Sequence, residues 1–431
     1  MKILVISQYW APENGVPQRR WTWLTSILEA DGHSVTVIAP PPHYDRSPSL
    51  SEWWRSGGFR TRIEHPEGGR TETIVRTGFF PAGRSLTQRI LNQAVVAVAA
   101  LWVVVKRPGV LKDYRPELII GSVPALPTAV VTYLASKRFH APYVVDLRDA
   151  WPELINERES WNSGLGNPSL RETLLSKGPV QFLGAVTKHA INFSLQRASA
   201  LIVTSTRLGN SLRQKFPESD SSNAKPIAVV RNVFPVESRY ERRPKVTESL
   251  GQLNVLYAGT LGRAQNLSNA VYAVAIAQEN GYEVNLRFVG AGAARQELVR
   301  IAKALAVNVE FSSRAAAEEL SEHYTWADSA LVHLTDWDAL NRAVPSKTYE
   351  LMSCGLHISA VADGETKALV EKLGAGHVVS PEKPHELALL WKKLIDEPQK
   401  LEVSSEGASW VEEQRTTVAP NELLRVVKCF Q

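Results

Sequence analysis

The sequence predicts an α/β chain with two successive sheets, on three observations. Short segments rich in Val, Ile and Leu alternate with helical patterns from the first residues onward. The alternation runs in two series, one opening at KILVIS and the other at LNVLYAGT near residue 256. Between them, residues 235–252 (PVESRYERRPKVTESLGQ) are charged, punctuated by proline and without apolar periodicity, so they read as an interdomain linker.

In the first series, KILVIS, a helix from about Pro17 to Ala30 and then HSVTVIAP make a βαβ opening. TETIVRT, PELIIGS, PYVVDL, ALIVTS and PIAVVRN follow as strands, with helical patterns between most of them. The second series continues through VNLRFVGAG, VNVEFSS, SALVHLT, HISAVA and GHVVS. Just before HISAVA stands VPSKTYELMSCG, residues 344–355. Proline can open a helix and glycine commonly ends one, which predicts a short helix from Pro345 to Cys354. Lys347 and Glu350, three apart, then share a face. The chain closes on the helical pattern NELLRVVKCF.

Two segments interrupt the alternation. Residues 40–72 are polar, rich in Pro and Gly, and read as a long loop holding the adjacent Trp53 and Trp54 among arginines, the kind of loop that carries function. Residues 86–105 end in a run of apolar residues followed by KRPG, too short to span a bilayer. That run reads either as a fully buried helix covering the sheet or as an interfacial anchor with Trp102, Lys106 and Arg107 at the headgroups.

The chain has 431 residues, enough for two or three domains, with ordinary apolar and charged fractions. The N-terminal apolar run is broken by Gln8 and Pro12, which predicts neither signal peptide nor membrane span. Two cysteines, Cys354 and Cys429, suggest no disulfide framework, fit a reducing cytosol and lack metal-ligand spacing. The net charge of +5 is unevenly divided: 32 Lys+Arg against 21 Asp+Glu up to residue 250 leave +11, and 17 against 23 afterwards leave −6. A basic first half suits an anionic partner such as phosphates, nucleic acid or a membrane face, or is a plain solvated surface.

Several constellations bear on chemistry. YAGTLGRAQNL (257–267) and FVGAGAARQEL (288–298) each place glycines between a strand and a helix start, where the backbone can approach a ligand and helix amides favour phosphate. Neither has the spacing of a dinucleotide fingerprint or a P-loop; both lie where ligands bind in α/β folds, at carboxyl ends of strands. QYWAPENGVPQRRW puts Gly15, Arg19 and Arg20 at the corresponding place in the first series. DLRDAWPEL (146–154) ends a strand with three carboxylates, candidates for a general base or for binding hydroxyls. No serine-hydrolase order, HExxH or CxxC accompanies them.

Taken together, APENGVPQRR, GSVPALP, DLRDAWPE, YAGTLGRAQNL, FVGAGAARQEL and VPSKTYELMSCG resemble, in order and over most of the chain, the family 4 glycosyltransferases of GT-B fold. The likeness is to the branch of bacterial cell-surface polysaccharide assembly that includes FucNAc transferases. The resemblance implies two facing Rossmann-like domains with an interdomain cleft: an acceptor domain over residues 1–238, a nucleotide-sugar domain over 250–410, and a final helix, 419–431, packing back on the first. It implies retention of anomeric configuration, no required metal ion, and a nucleotide-sugar donor, UDP-linked. Glu350 matches the carboxylate that holds the ribose hydroxyls, which places Lys347 and Arg263 to meet the diphosphate. Gly15 matches the loop closing over the distal phosphate, and Gly259 and Gly262 belong to the glycine loop that carries Arg263. Gly290 and Gly292 match the turn beside the nucleoside, and Arg314 lies where the base is read. Many relatives carry a Glu eight residues before the ribose-binding one; here that position is Arg342, so Asp336 or Asp338 is expected to contact the sugar. The commoner GRLxxxKG pattern appears with Thr260 and Gln265, which shifts the phosphate clamp to Arg263 and Lys347. Asp149 is the expected acceptor-side base, ahead of Glu153, although a donor phosphate oxygen can also take the proton. The basic domain, the Trp53–Trp54 loop and the apolar helix suit a lipid-linked saccharide at the cytoplasmic membrane face; a soluble natural-product acceptor suits the tryptophans too. A nucleotide-sugar epimerase would share the donor cleft, and a nucleic-acid-binding module lacks any recognised motif.

Overall fold

The computed structural model describes residues 1–43, 48–66, 70–81, 86–123, 125–151, 153, 179–217, 225–235, 251–315 and 317–431. The chain divides into two compact units: one holds the described residues up to Phe234 together with Thr417–Gln431, the other runs from Pro235 to Thr416. Most of the residues expected to form the linker, 236–250, lie outside those described.

The first unit is built on an eight-stranded sheet. Its elements are β1 (Lys2–Ser7), α1 (Val16–Ala30), β2 (Ser34–Ala39), α2 (Leu50–Arg55), β3 (Arg62–Glu64), β4 (Thr73–Arg76), α3 (Leu86–Lys106), β5 (Leu118–Val123), α4 (Pro127–Phe139) and β6 (Tyr143–Leu147). There follow α5 (Pro179–Arg197), β7 (Ala200–Val203), α6 (Thr206–Lys215) and β8 (Ile227–Val229). The strand order is β3-β4-β2-β1-β5-β6-β7-β8, parallel throughout except that β3 runs antiparallel to β4. β1 is flanked on both sides, with Leu4 beside Thr36 of β2 and Ile119 of β5. Helices cover both faces of such a sheet, so its strands read as unbroken apolar runs: Ile3, Leu4 and Val5 are wholly buried.

The second unit holds β9 (Gln252–Ala258), α7 (Ser268–Glu279), β10 (Glu283–Val289), α8 (Arg295–Ala304), β11 (Val309–Ser312), α9 (Ala317–Trp326) and β12 (Ser329–His333). It continues with α10 (Ser346–Ser353), β13 (His357–Val361), α11 (Gly364–Lys372), β14 (Gly376–Val379), α12 (Pro384–Asp396) and α13 (Glu406–Glu413). Its six strands run in the order β11-β10-β9-β12-β13-β14, all parallel. This is the 3-2-1-4-5-6 order of doubly wound nucleotide-binding sheets, whose ligands lie outside the carboxyl ends of the strands where the order reverses. The reversal falls between β9 and β12. The core beneath is formed by Val255, Val271, Phe288, Leu387 and Trp391, among others. The last helix, α14 (Ala419–Lys428), buries Leu423, Val426 and Val427 and packs on α1 and β8 of the first unit.

Two expectations are corrected. The loop expected over residues 40–72 contains α2 and β3. Ser49 and Glu52 form a capping box, each side chain bonding the other's backbone amide, which nucleates α2 inside a polar segment. The apolar stretch 86–105 is not a fully buried helix: α3 is core on one face only, with Val98, Trp102 and Val105 exposed.

Candidate functional site

In the second unit the two glycine loops form one structure. Gly259 N donates to Val289 O and Leu261 N to Ala291 O, both at 3.0 Å, so the loop after β9 continues pairing with the loop after β10 beyond the sheet. Ala294 N returns a bond to Leu261 O at 3.0 Å. A Cβ at Gly290 would stand 1.9 Å from Gly259 O, and one at Gly292 would stand 2.0 Å from Leu261 O. Those two glycines are therefore required for backbone to lie on backbone. Gly259 and Gly262 meet no backbone obstruction, only the side chains of Tyr257, Thr260 and Gln265. The Tyr257 hydroxyl donates to Thr260 O at 2.8 Å and pins the first loop's crest. Arg263 begins the turn after it, Arg263–Gln265, and its side chain lies outside the described residues.

The loop after β12 reaches the same place. Thr335 N donates to Ala264 O at 3.0 Å. At the end of β12 the buried His333 accepts through Nε2 from the Asn269 amide, 2.9 Å away, and burial pushes its pKa down to about 3, so the ring is neutral. A helix following a parallel strand runs back along it, so α10 starts near the strand's carboxyl end. Pro345 precedes it, as the sequence requires, and Lys347 and Glu350 lie on one face. The Glu350 carboxylate is buried and doubly engaged: Oε1 accepts from the Tyr324 hydroxyl at 2.6 Å, and Oε2 from Lys347 Nζ at 2.8 Å. Lys347 Nζ also donates to Tyr324 Oη at 3.1 Å, closing a triangle. Tyr324, wholly buried on α9, has no motif around it and was not singled out from the sequence. Four residues beyond Glu350, burial and the carboxylate's charge push the Cys354 thiol up to about 12, which leaves it un-ionised and inert.

The remaining second-unit candidates lie at the surface. Arg314 is exposed in the turn after β11. Asp336 is exposed, and the exposed Asp338 pairs with Arg342 at 2.5 Å, the position where a glutamate was expected.

In the first unit the sheet order also reverses, between β1 and β5. Gly15 caps α1 there, its carbonyl accepting from Arg19 N at 3.0 Å. Arg20 is not free for the anion that its place beside the first strand suggested. It is wholly buried, grips Asp146 through Nη2–Oδ1 at 2.8 Å and Nε–Oδ2 at 3.3 Å, and donates to Val230 O at 2.8 Å. The Trp21 indole at 3.1 Å and the Ser122 hydroxyl at 3.5 Å also donate to Asp146. Of the three carboxylates in DLRDAWPEL, Asp146 is thus structural. Glu153 is held by Lys215 at 2.7 Å. Asp149 reaches solvent, yet the protein crowded around it raises its carboxyl pKa; Arg148 next to it opposes that rise. A neutral, buried imidazole that the sequence did not single out, His43, sits beyond the end of β2 against Tyr9 and Phe79, its pKa lowered by burial.

The two tryptophans of the first unit's loop divide their work. Trp53 Nε1 donates to Phe79 O at 2.6 Å and its ring packs on Phe80, while Trp54 is 67% exposed. Beside them, beyond the ends of β2 and β4, lies a cavity of about 430 Å³ lined by Pro41, Pro42, Arg60, Arg62, Arg76 and Phe79 among others. Arg76 is spent on Glu64, Pro40 O and Ala11 O; Arg60 and Arg62 are exposed at the cavity. Among the described residues no group of three or more His, Cys, Asp or Glu side chains could hold a metal ion.

Comparison with known proteins fits this architecture. Residues 15–232 match the family described as "Glycosyl transferase 4-like domain", and residues 238–409 match "Glycosyl transferases group 1". A chain of Escherichia coli K12 assigned to colanic acid biosynthesis as the glycosyl transferase WcaI is 24% identical over 380 residues, covering 85% of this chain and 84% of that one. Among solved structures, sucrose-phosphate synthase from Thermosynechococcus elongatus superposes with a TM-score of 0.66 at 14% identity, over 100% of this chain and 98% of that one. HepE of Anabaena in complex with UDP-glucose gives 0.61 at 16% identity, over 100% and 99%. The chain belongs to the family 4 glycosyltransferases of GT-B fold and is a glycosyltransferase enzyme.

Proposed function

We propose that this enzyme transfers a sugar, with retention of configuration and without a metal ion, from a UDP-sugar to a hydroxyl of a lipid-linked saccharide in cell-surface polysaccharide assembly. The work is done at the cytoplasmic face of the membrane. The observation that carries the donor assignment is the Lys347–Glu350–Tyr324 triangle on α9 and α10, in a sheet whose order reverses beside paired glycine loops. HepE, crystallised with UDP-glucose, supports a UDP-sugar donor, and the likeness to the colanic acid enzyme supports a part in cell-surface polysaccharide assembly.

In this reading the ribose hydroxyls donate to Glu350, which is held in place by Tyr324. Lys347, released from its pairing with the carboxylate, meets the diphosphate together with Arg263 and the amides of the Gly259–Gly262 loop. Gly15 comes to the distal phosphate, Gly290 and Gly292 keep the nucleoside turn thin, and Arg314 lies at the base. As the bond from the anomeric carbon to the diphosphate oxygen breaks, negative charge grows on the leaving group, and preorganised cations and dipoles stabilise it. The acceptor oxygen bonds to the same face of the carbon and gives its proton to Asp149. A carboxyl pKa raised by its surroundings makes that residue a better base than an ordinary aspartate.

Thermal shift with a panel of nucleotides and nucleotide-sugars tests the donor site, since a ligand of the native state raises its stability. Uridine diphosphate is expected to raise the melting temperature, and Lys347→Ala and Glu350→Ala to abolish the shift. Stabilisation by another base alone would overturn the uridine assignment. For the base, wild type should lose kcat on the acid side at a pH above the ordinary carboxylate range, and Asp149→Asn should remove that limb along with most activity. An unchanged limb in the variant returns the proton to the donor phosphate.

A further inference from the structure

Helix α3 presents to solvent an apolar face that no described residue of its own unit covers. Val96, Ala100, Val103 and Val104 are buried, so one side of the helix belongs to the core beside α4 and β2. On the opposite side Leu91, Ala94, Val98, Trp102 and Val105 are exposed, at the three- and four-residue intervals of a single helix face. Val98 is 69% exposed, Trp102 51% and Val105 51%. The surface extends past the helix end: Val110 and Ile63 are exposed as well, and Ile63 Cδ1 lies 2.6 Å from where a Cβ on Gly109 would stand. Contiguous exposed apolar residues on this scale mark a place where something else binds.

We propose that this face docks on an anionic lipid leaflet, with α3 lying in the plane of the interface. The charges around it favour that occupant. No acidic residue occurs between 86 and 106, the exposed Arg89 and Lys106 bracket the stripe, and Arg107 and Lys112 follow within the +11 half of the chain. Trp102 and Lys106, one turn apart, are an amphipathic ring and a long cationic stem, the pair that settles at headgroup depth. The helix has the length and mean hydropathy, 1.6, of a spanning segment, but its buried face is committed to the core, and crossing the bilayer would strip that face from the sheet. A second copy of the chain fits less well, because parallel or antiparallel pairing of two α3 faces brings cationic ends onto cationic ends.

The proposal deepens the lipid-linked acceptor reading, for which it supplies the surface that brings the enzyme to its substrate, but it needs neither donor nor acceptor. The full chain is sedimented with vesicles of phosphatidylcholine alone and of phosphatidylcholine with phosphatidylglycerol, at low and high salt. Partition should be at least about tenfold stronger on the anionic vesicles and fall with salt, since each basic residue at such a surface contributes. The double substitution Val98→Asp and Val105→Asp should lower partition about tenfold or more. Stabilisation by uridine diphosphate should stay unchanged in that variant, which also reports that it folds. Brominated lipid should quench wild-type tryptophan fluorescence and quench Trp102→Phe markedly less. Equal partition of wild type and the double variant, or no vesicle binding with a change of oligomeric state in the variant, overturns the proposal. Failure of nucleotide binding with vesicle binding intact removes the donor assignment and leaves this surface standing.

Discussion

In the second unit the groups that point to chemistry lie close in sequence on regular elements: Lys347 and Glu350 on one helix, the glycines in the turns after two adjacent strands. In the first unit, the arrangement at the same end of the sheet is assembled over long separations. Arg20 meets Asp146 across 126 residues and Val230 across 210. In the second unit the cation of the pair, Lys347, is partly exposed although the Glu350 it meets is buried. The first unit buries its most conspicuous arginine, Arg20, which bonds the sheet's helices and loops together, while Arg60, Arg62 and Trp54 stay exposed in an irregular segment beside a cavity. Charge beside a sheet edge has different meanings in the two units, and the burial of the cation separates them.

The largest effect expected from this difference is on stability. Arg20→Ala leaves Asp146 buried without its cation, a loss of about 3–5 kcal/mol. Denaturant unfolding should show the transition of the first unit shifted, with uridine diphosphate binding by the second unit retained; a parallel loss of both would erase the distinction. The next effect is chiefly on chemistry. Lys347→Ala should cut kcat/KM by about 10²–10³ with a smaller loss of stability than Arg20→Ala, because the lysine is partly exposed and Tyr324 still holds Glu350. A variant with near-normal turnover would falsify its role at the diphosphate.

Much of this was legible beforehand, and what was not has physical reasons. All six strands of the second sheet stand where apolar runs and flanking glycines put them, and α10 begins after Pro345 and ends before Gly355. Such signals are local, and local signals survive in sequence. Helix α2 was missed although its capping box, Ser49 with Glu52, is written in the chain, because prolines and glycines around it argue for a loop. The commitment of Arg20, the isolation of Asp146 from solvent and the part played by Tyr324 depend on partners far away along the chain, which no spacing rule reveals. The half-exposed state of α3 was undetermined for a related reason: alanines and valines fill both faces, and hydropathy alone does not say which is covered.

A smaller test concerns Tyr324. Tyr324→Phe keeps the packing and removes one hydrogen bond to a carboxylate, worth about 1.5–3 kcal/mol. If the tyrosine positions Glu350 for the ribose, KM for the donor should rise about tenfold or more with kcat nearly unchanged; a loss confined to thermal stability would make it purely structural. The smallest effect is the acid sensitivity contributed by His333. Its folded pKa, about 3, lies below the ordinary value of 6.5, so the unfolded chain takes up a proton that the folded ring refuses. The stabilisation is complete above pH 6.5 and is lost as pH falls toward 3, with about 1 kcal/mol gone by pH 5.5. His333→Gln should flatten that part of the pH–stability curve; an equally steep curve in the variant would assign the loss to other groups.

Because the carbonyls of Gly259 and Leu261 fill the space where side chains at Gly290 and Gly292 would go, the two loops are a single cassette. Grafting one of them from another enzyme would bring a mismatched ridge against a fitted trough, whereas exchange of 259–265 together with 290–294 respects the fit.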